Sequence, residues 1–253
     1  MFKKLKNYIK TVIVICRNFR TISMGKKIIR IKESHYFYSR HRRLYNYLPN
    51  VENRIHKVFS SYGVKKNILE EISELPVVDI GANIGEFSIY LRTYVNHTGN
   101  IFAFEPDPIE FKALQKNSFI HNIVPINKAV SNINGVLNFA LLNEDADSRL
   151  EWDTKKHKNI IKVQSTTLDE ELLKHSVSEV GLVKVEAEGY EPEILRGINL
   201  EKLKIKYFAI DCGPERPPNN ETTLVECINY LQSQGYTLVN YNHERHAILL
   251  TRD

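Results

Sequence analysis

Residues Val77–Gly85 read VVDIGANIG, and this stretch decides the fold of the chain. It opens with two β-branched, apolar valines, which are typical of a strand buried on both faces. An acid, Asp79, follows near the strand end, and Gly81 and Gly85 flank the next turn. A glycine at such a turn lets the backbone come close to another group, which a Cβ would prevent. The stretch therefore predicts a strand, a tight turn and the start of a helix.

The spacing within this turn indicates which ligand it suits. Asp79-x-Gly81-x-x-x-Gly85 differs from the G-x-G-x-x-G dinucleotide fingerprint and from the phosphate loop with its Gly-Lys-Ser/Thr. An acid at the strand end suits a ligand with a positive charge or hydroxyls better than a pyrophosphate. S-adenosylmethionine has an ammonium, a sulfonium and a ribose diol, and it carries no phosphate. We therefore expect S-adenosylmethionine as the cofactor.

A second strand-end acid supports this expectation. Ile101–Pro108 reads IFAFEPDP, an apolar strand that ends in Glu105, 26 positions after Asp79. In a β-α-β unit of this length the second strand lies beside the first, so both acids reach one crevice, where Glu105 can accept the ribose hydroxyls. Either acid alone could instead cap the next helix. The pair, with the glycines between them, favours a cofactor site.

Three blocks of the sequence, DIGANIGEFS, FEPDP and LVKVEAEGYEPEILRG, resemble the FkbM family of S-adenosylmethionine-dependent methyltransferases. The resemblance covers about residues 77–241, and the third block is the most diagnostic because the first occurs in many methyltransferases. It implies a class I methyltransferase fold and O-methylation of a hydroxyl on a sugar, glycan or small metabolite. The cofactor residues that it implies come from the first two blocks: Asp79, Gly81, Ala82, Asn83, Gly85, Glu105 and Pro106.

The chain departs from the family pattern at two acids. The usual Asp of the third block is Glu186, and the usual Glu near Ile210 is Asp211. The charge is kept at both positions while its reach changes, so the departures bear on the substrate more than on the reaction.

Alternating strands and helices, closed by a hairpin, predict an α/β Rossmann-like class I methyltransferase fold. We expect a mostly parallel seven-stranded sheet with a terminal antiparallel strand, after a helix over 51–75. Asp107, followed by Pro108, has the pattern of an N-cap, and Thr167 opens a second capping box. Asn134-Gly135 predicts a tight hairpin turn. A helix is expected over 220–234, and the terminal antiparallel pair at 236–241 and 247–251.

Clustered acids at the predicted strand ends point to the catalytic groups. Glu186 and Glu188 are the first candidates for the base that takes a proton from an acceptor hydroxyl, with Asp211 next. Lys184, in mid-strand, is either a partner for these acids or an edge residue whose amine reaches solvent. A carboxylate cluster could also clamp a metal ion, but no His joins it and no metal site is predicted. The motif His243-x-x-His246 is expected to be solvated.

The charge of the chain is unevenly distributed. Of 253 residues, residues 1–57 hold 15 Lys or Arg and two acids, an excess of +13, whereas the remainder has an excess of −8. We expect a basic extension over 1–57 and a methyltransferase domain over 58–253. The acidic domain makes nucleic acid an unexpected partner.

The first 20 residues have the pattern of a basic amphipathic helix, with Phe2, Leu5 and Ile9 among its apolar positions. This helix either packs on the domain or makes a peripheral contact with an anionic membrane surface. No apolar run reaches the roughly 20 residues of a membrane span. Three unpaired-looking cysteines suggest a reducing compartment, so we expect a cytoplasmic protein, which the second alternative places at the inner face of a membrane.

Other methyltransferase classes leave marks that this sequence lacks. It has no Asp/Asn-Pro-Pro-Tyr after the predicted strand over 182–186 and no Pro-Cys nucleophile. The alternatives that stay open are methylation of nitrogen, protein or RNA by the same fold, and a non-catalytic module that binds the cofactor.

Overall fold

The computed structural model describes residues 22–23, 28–31, 34–37, 51–141, 148–150, 159–216 and 218–252. The strands, in chain order, are β1 (Ile22–Ser23), β2 (Ile28–Ile31), β3 (Ser34–Phe37), β4 (Val77–Ile80), β5 (Ile101–Phe104), β6 (Val124–Ile126), β7 (Ala129–Val130), β8 (Gly135–Ala140), β9 (Arg149–Leu150), β10 (Ile160–Thr166), β11 (Glu179–Val185), β12 (Lys204–Asp211), β13 (Pro214–Arg216), β14 (Glu221–Thr222), β15 (Thr237–Asn242) and β16 (Ala247–Thr251). The helices are α1 (Val51–Ser60), α2 (Lys66–Glu71), α3 (Glu86–Tyr90), α4 (Pro108–His121), α5 (Leu168–Leu173), α6 (Glu191–Arg196) and α7 (Leu224–Ser233), and a π-helical turn, Leu91–Val95, continues α3.

The central sheet has seven strands in the order β15-β16-β12-β11-β4-β5-β6. The pairs from β12 to β6 are parallel, while β16 runs antiparallel to both β12 and β15. Sequence-distant strands β4 and β11 are neighbours, so the sheet reverses its winding beside β4. This arrangement confirms the predicted α/β fold with a terminal antiparallel strand.

Both faces of the central strands are buried, as the apolar sequence of β4 predicts. Val78 and Val183 belong to the core on one face of the sheet, and Val77 and Leu182 belong to the core on the other. Successive side chains along a strand point to opposite faces. Each central strand therefore supplies both cores and leaves its carboxyl end as the place where polar groups can gather.

The single helix expected over 51–75 is wrong, because the chain breaks it into α1 and α2. Gly63, between them, has φ +69°, and a Cβ there would lie 2.1 Å from the side-chain Nδ2 of Asn240. Helix α1 buries Ile55 and Phe59 in the core beside β4. It crosses position 57/58, where the sequence places the domain boundary, and that boundary stays a prediction.

The tight hairpin expected at Asn134-Gly135 is also wrong. Strand β8 pairs antiparallel with β10, and β10 lies between β7 and β8 in a sheet ordered β7-β10-β8-β9. The turn makes hydrogen bonds with the end of β10 and the residue after it. Thr167 N–H donates to Asn134 Oδ1, and Ser165 Oγ donates to the Ile133 carbonyl. The longer β10 offers β8 a six-residue partner that the two-residue β7 cannot.

One helix cap and one helix start differ from the sequence-based expectation. Helix α5 begins after Thr167 as expected, yet the Thr167 side chain makes no capping hydrogen bond. Helix α7 begins at Leu224 rather than near 220, because Asn220 is left-handed (φ +55°) and β14 intervenes.

The predicted amphipathic helix of the first 20 residues lies outside the described residues. In the part of the chain that the structure does describe, we find no helix that combines the length and apolar character required to cross a membrane.

Candidate active site

The carboxyl ends of the parallel strands border a cavity of about 700 Å³. Eight residues predicted from the sequence line it: Gly81, Ala82, Asn83, Glu105, Pro106, Lys184, Glu186 and Glu188. Three predicted residues, Asp79, Gly85 and Asp211, do not line it. The cofactor and acceptor candidates of the sequence thus share one cavity, with those three residues set outside its wall.

The glycine-rich loop between β4 and α3 is shaped by the protein's own atoms. Gly81 has φ +68°, and a Cβ there would lie 1.8 Å from the backbone oxygen of Glu186. Gly85 has φ +93°, and a Cβ there would meet Leu114 Cδ1 at 3.0 Å. The close approach for which these glycines are needed is therefore made by neighbouring protein groups.

Glu105 holds the loop from the adjacent strand. Its Oε2 accepts a hydrogen bond from the Asn83 N–H at 2.7 Å, and its Oε1 accepts one from the Asp107 N–H at 2.7 Å. Asp107 caps α4 through Ile109 N–H at 2.8 Å with Pro108 at the first position, which confirms the predicted cap.

The carboxyl of Glu105 fits the part of S-adenosylmethionine that carries two hydroxyls. It is 6% exposed and lines the cavity. A carboxylate oxygen has two lone pairs, so each Glu105 oxygen keeps one for a hydroxyl after accepting its backbone N–H. Burial raises the pKa of Glu105 to about 8, so the group binds a proton at neutral pH, and two hydroxyl donors would favour its ionised form as the two backbone N–H groups do. This chemistry supports a diol at this end of the cavity.

Asp79 lies beneath the cavity with no exposed surface. Its Oδ2 accepts a hydrogen bond from Ser88 Oγ at 2.7 Å, and its Oδ1 lies 3.1 Å from Lys184 Nζ. A direct contact of Asp79 with the cofactor stays a prediction. The contacts that the structure shows tie β4 to α3 and to β11.

Lys184 is a buried cation on a central strand, 2% exposed, so the interpretation as an edge residue is wrong. Its Nζ donates to the carbonyls of Ile80 and Gly81 at 3.2 and 2.9 Å and also lies 3.2 Å from Glu186 Oε2. Burial by itself lowers the pKa of Lys184, but Asp79 and Glu186 outweigh burial and raise the pKa above its ordinary value. The amine is therefore charged at neutral pH.

Glu186 is held by three donors at the wall of the cavity. Its Oε1 accepts a hydrogen bond from Arg245 Nη2 at 2.5 Å, and its Oε2 accepts one from Tyr62 OH at 2.9 Å, beside Lys184. Burial and the neighbouring Glu186 carboxylate raise the pKa of Tyr62 well above its ordinary value, so its hydroxyl keeps the proton that it donates. These contacts favour the ionised form of Glu186.

Arg245 joins Glu186 to the third predicted acid. Its Nε donates to Asp211 Oδ2 at 2.6 Å, while Asp211 Oδ1 accepts the Gly213 N–H at 3.2 Å. Burial and Glu186 raise the pKa of Asp211. Asp211 thus lies behind Arg245 and acts on the cavity through it.

Glu188 lies at the cavity wall on a loop that a buried acid organises. Glu188 has φ +54°, an uncommon conformation for a non-glycine residue. Glu191 Oε1 accepts the N–H groups of Ala187 and Gly189 at 2.9 and 3.1 Å, and its Oε2 accepts Thr223 Oγ at 2.9 Å. Burial raises the pKa of Glu191 to about 7.

Sequence reasoning missed several cavity residues that come from outside the three motif blocks: Arg54, Glu215 and Arg245. Arg54 makes two hydrogen bonds with Glu86, at 2.5 and 2.8 Å, from helix α1. Burial, with Asp211 as the next cause, raises the pKa of Glu215 to about 7. Arg245 had a topological signal, since β16 must begin beside the end of β12.

The described residues contain no group of three or more His, Cys, Asp or Glu side chains arranged to hold a metal ion. His243 is exposed, and Tyr241 OH lies 3.3 Å from His246 Nδ1.

A seven-stranded sheet of this order, with a glycine-rich loop and a strand-end acid at its carboxyl edge, defines a class I S-adenosylmethionine-dependent methyltransferase. The family model described as the methyltransferase FkbM domain matches residues 79–238, and the chain belongs to this family.

Two curated relatives share this region at modest identity. The chain is 27% identical over 175 residues to hexuronic acid methyltransferase AglP of Haloferax volcanii, covering 68% of this chain and 70% of that protein. It is 27% identical over 199 residues to the 31-O-demethyl-FK506 methyltransferase FkbM of Streptomyces tacrolimicus, covering 64% and 73%.

One solved structure shows the same fold. The methyltransferase FkbM from Methylobacillus flagellatus KT superposes with a TM-score of 0.50 at 17% identity, over 71% of this chain and 44% of that longer one.

Proposed function

We propose that this methyltransferase transfers a methyl group to a hydroxyl oxygen on a sugar, glycan or other small metabolite. The observation that carries the proposal is one cavity that the glycine-rich loop and a second set of acids border together. The glycine-rich loop and Glu105 form one wall, and Glu186, Glu188 and Glu215 belong to an acidic wall. Its volume of about 700 Å³ lies in the range of small-molecule sites. In support, the two relatives are named for a hexuronic acid and for a 31-O-demethyl compound.

At the first wall we propose that Gly81, Ala82, Asn83 and Pro106 surround the cofactor and that Glu105 accepts hydrogen bonds from its ribose hydroxyls. Asp79 and Gly85 support this wall from behind, through the Asp79–Lys184 ion pair and the packing of Gly85 on Leu114. When bound, S-adenosylmethionine supplies a methyl group on a sulfonium, and the sulfur leaves as a neutral thioether, so the protein need not activate a leaving group. The protein must then align the acceptor oxygen and exclude water.

At the second wall the acceptor hydroxyl must lose a proton as the new bond forms. Glu186 already accepts from Arg245 and Tyr62, so we propose that it orients the acceptor as a fixed, ionised hydrogen-bond acceptor. Lys184 and Asp211 keep it in place, Lys184 directly and Asp211 through Arg245. We propose Glu188 as the proton acceptor. Glu215 is the second candidate, since a pKa of about 7 suits a base at neutral pH.

The experiment is a calorimetric titration with S-adenosylmethionine, followed by a methyl-transfer assay on a panel of neutral and uronic glycosides. Glu188→Gln should bind the cofactor as the wild type does and lose about 100-fold in turnover, the lower range for removal of a general base. Glu226→Gln, which alters an exposed ion pair with Arg196, is the matched control and should change neither quantity.

Each contrary result identifies a different error. Loss of turnover in Glu215→Gln alone would transfer the proton-acceptor role to Glu215. Full turnover in both variants would exclude Glu188 and Glu215 as proton acceptors. A wild-type protein that does not bind S-adenosylmethionine would contradict the proposed cofactor site itself.

A further inference from the structure

Asn117 is a polar residue without exposed surface in the middle of α4, outside the motif blocks of the sequence. Its side-chain amide makes three hydrogen bonds. Oδ1 accepts the Phe37 N–H at 2.7 Å, and Nδ2 donates to the carbonyls of Phe37 at 2.9 Å and of Ile84 at 2.7 Å. All the proton-donating capacity of the amide is thus directed at two backbone positions.

The first of these positions belongs to the small sheet that precedes the methyltransferase fold. Strands β1, β2 and β3 form an antiparallel three-stranded sheet, and Phe37 is the last residue of β3. The Asn117 amide pairs with both backbone groups of Phe37, as a residue of a neighbouring strand would. The Phe37 side chain packs against the core that contains Ile84, and Lys116 Nζ lies 5.4 Å from the centre of its ring.

The second position belongs to the glycine-rich loop, whose backbone is held in an uncommon shape. Gly81, Asn83 and Gly85 all have positive φ, and Asn83 carries a side chain at φ +55°. Such a conformation persists where surrounding contacts over-determine it. Glu105 fixes the N–H of Asn83 from one side, and Asn117 fixes the carbonyl of the next residue, Ile84, from the other.

We infer that Asn117 is a positioning residue for cofactor binding, through which the N-terminal sheet of strands β1, β2 and β3 stabilises the glycine-rich loop. The inference rests on the proposed function in one respect, the placing of the cofactor at this loop. It extends the cofactor site to a part of the chain that lies before the family-matched segment, 79–238.

The test is calorimetric binding of S-adenosylmethionine to the full chain, combined with hydrogen exchange of the peptide over 81–86. Asn117→Ala should raise the Kd about tenfold, equivalent to one lost interaction of ordinary strength, and should speed exchange in that peptide. The matched control is Tyr236→Phe, which removes a buried hydrogen bond to the Ile205 carbonyl (2.7 Å) from a residue that does not line the cavity. It should leave both readouts unchanged.

A second variant separates the N-terminal sheet from the loop. Phe37→Pro removes the N–H that donates to Asn117, together with the ring that packs on the core, and leaves Asn117 itself intact. It should also weaken cofactor binding and speed exchange over 81–86, and it decides the matter if Asn117→Ala does not fold.

The possible failures are distinguishable. Wild-type binding with an unchanged Kd in Asn117→Ala would overturn the inference and leave the proposed function standing. An equal loss in Tyr236→Phe would show a general effect of stability and would also overturn it. A wild-type protein that binds no S-adenosylmethionine would contradict the proposed function, and unaltered exchange over 81–86 in Asn117→Ala would then overturn the inference separately.

Discussion

Replacement of the buried Lys184 by methionine should destabilise the fold strongly. Its Nζ donates to two backbone carbonyls and also contacts the carboxylates of Asp79 and Glu186. Glu186 is 29% exposed and keeps Arg245 and Tyr62, so it tolerates the loss. Asp79 has no exposed surface, and of its contacts with the described residues only the hydrogen bond from Ser88 would remain. A buried carboxylate that loses its cation costs about 3–5 kcal/mol in the free energy of unfolding, and Lys184→Met should approach that value.

Urea unfolding followed by circular dichroism measures this cost. Lys206→Met is the matched control, because the Lys206–Glu71 pair is about two-fifths exposed on each side, and a surface pair contributes less than about 1 kcal/mol. In the double variant Asp79→Asn/Lys184→Met the buried charge is absent. The double variant should therefore lose less free energy of unfolding than the two single variants lose together, by more than about 1 kcal/mol.

Two results would refute this reasoning. A loss in Lys184→Met of less than about 1 kcal/mol would show that Asp79 gains little from the cation. Additive losses in the double variant would show that the two residues do not interact in the folded protein.

Two further predictions concern the glycine-rich loop and the loop that carries Glu188. Gly81→Ala should lower the free energy of unfolding by several kcal/mol, roughly 4 or more, because its Cβ would lie 1.8 Å from the backbone oxygen of Glu186. The control Gly135→Ala, at φ +141° with open space around it, should lower it by about 1 kcal/mol. Similar losses for the two variants in urea unfolding would contradict the crowding at Gly81. Burial holds the pKa of Glu191 at about 7, above its value in the unfolded chain, so its contribution to stability is complete at low pH and is lost as the pH rises through 7. The stability of Glu191→Gln relative to the wild type should therefore rise between pH 5 and 8, and unfolding curves with a constant difference over that range would speak against a buried, proton-binding Glu191.

The sequence predicted the sheet because its signals were local and strong. The valines of β4 and the Asp107–Pro108 cap act within a few residues, and the structure has the strand and the cap where they were expected. The hairpin prediction at Asn134-Gly135 was wrong because turn residues indicate where the chain bends and not which strand pairs with the one that follows. The strand that pairs with β8 is β10, some 25 residues further along the chain.

The missing part of the candidate site depends on long-range contacts. Tyr62 meets Glu186 across 124 positions, and Arg245 meets Glu186 across 59. A lone Tyr after a helix or a lone Arg in a terminal turn carries no pattern of its own. The register of β16 beside β12, in which Ala247 faces Asp211, is what places Arg245 at the acids.

The bridge that Arg245 makes between Glu186 and Asp211 has a consequence for how the protein folds during its synthesis. Chains emerge from the ribosome at about 5–20 residues per second, and early segments can begin to fold before later ones exist. Helix α1 and the strands up to β12 can gather while the guanidinium that links Glu186 and Asp211 is still untranslated. During that interval the two carboxylates lack their shared counter-ion, so the acidic wall reaches its final charge balance only when the β15–β16 turn has been made.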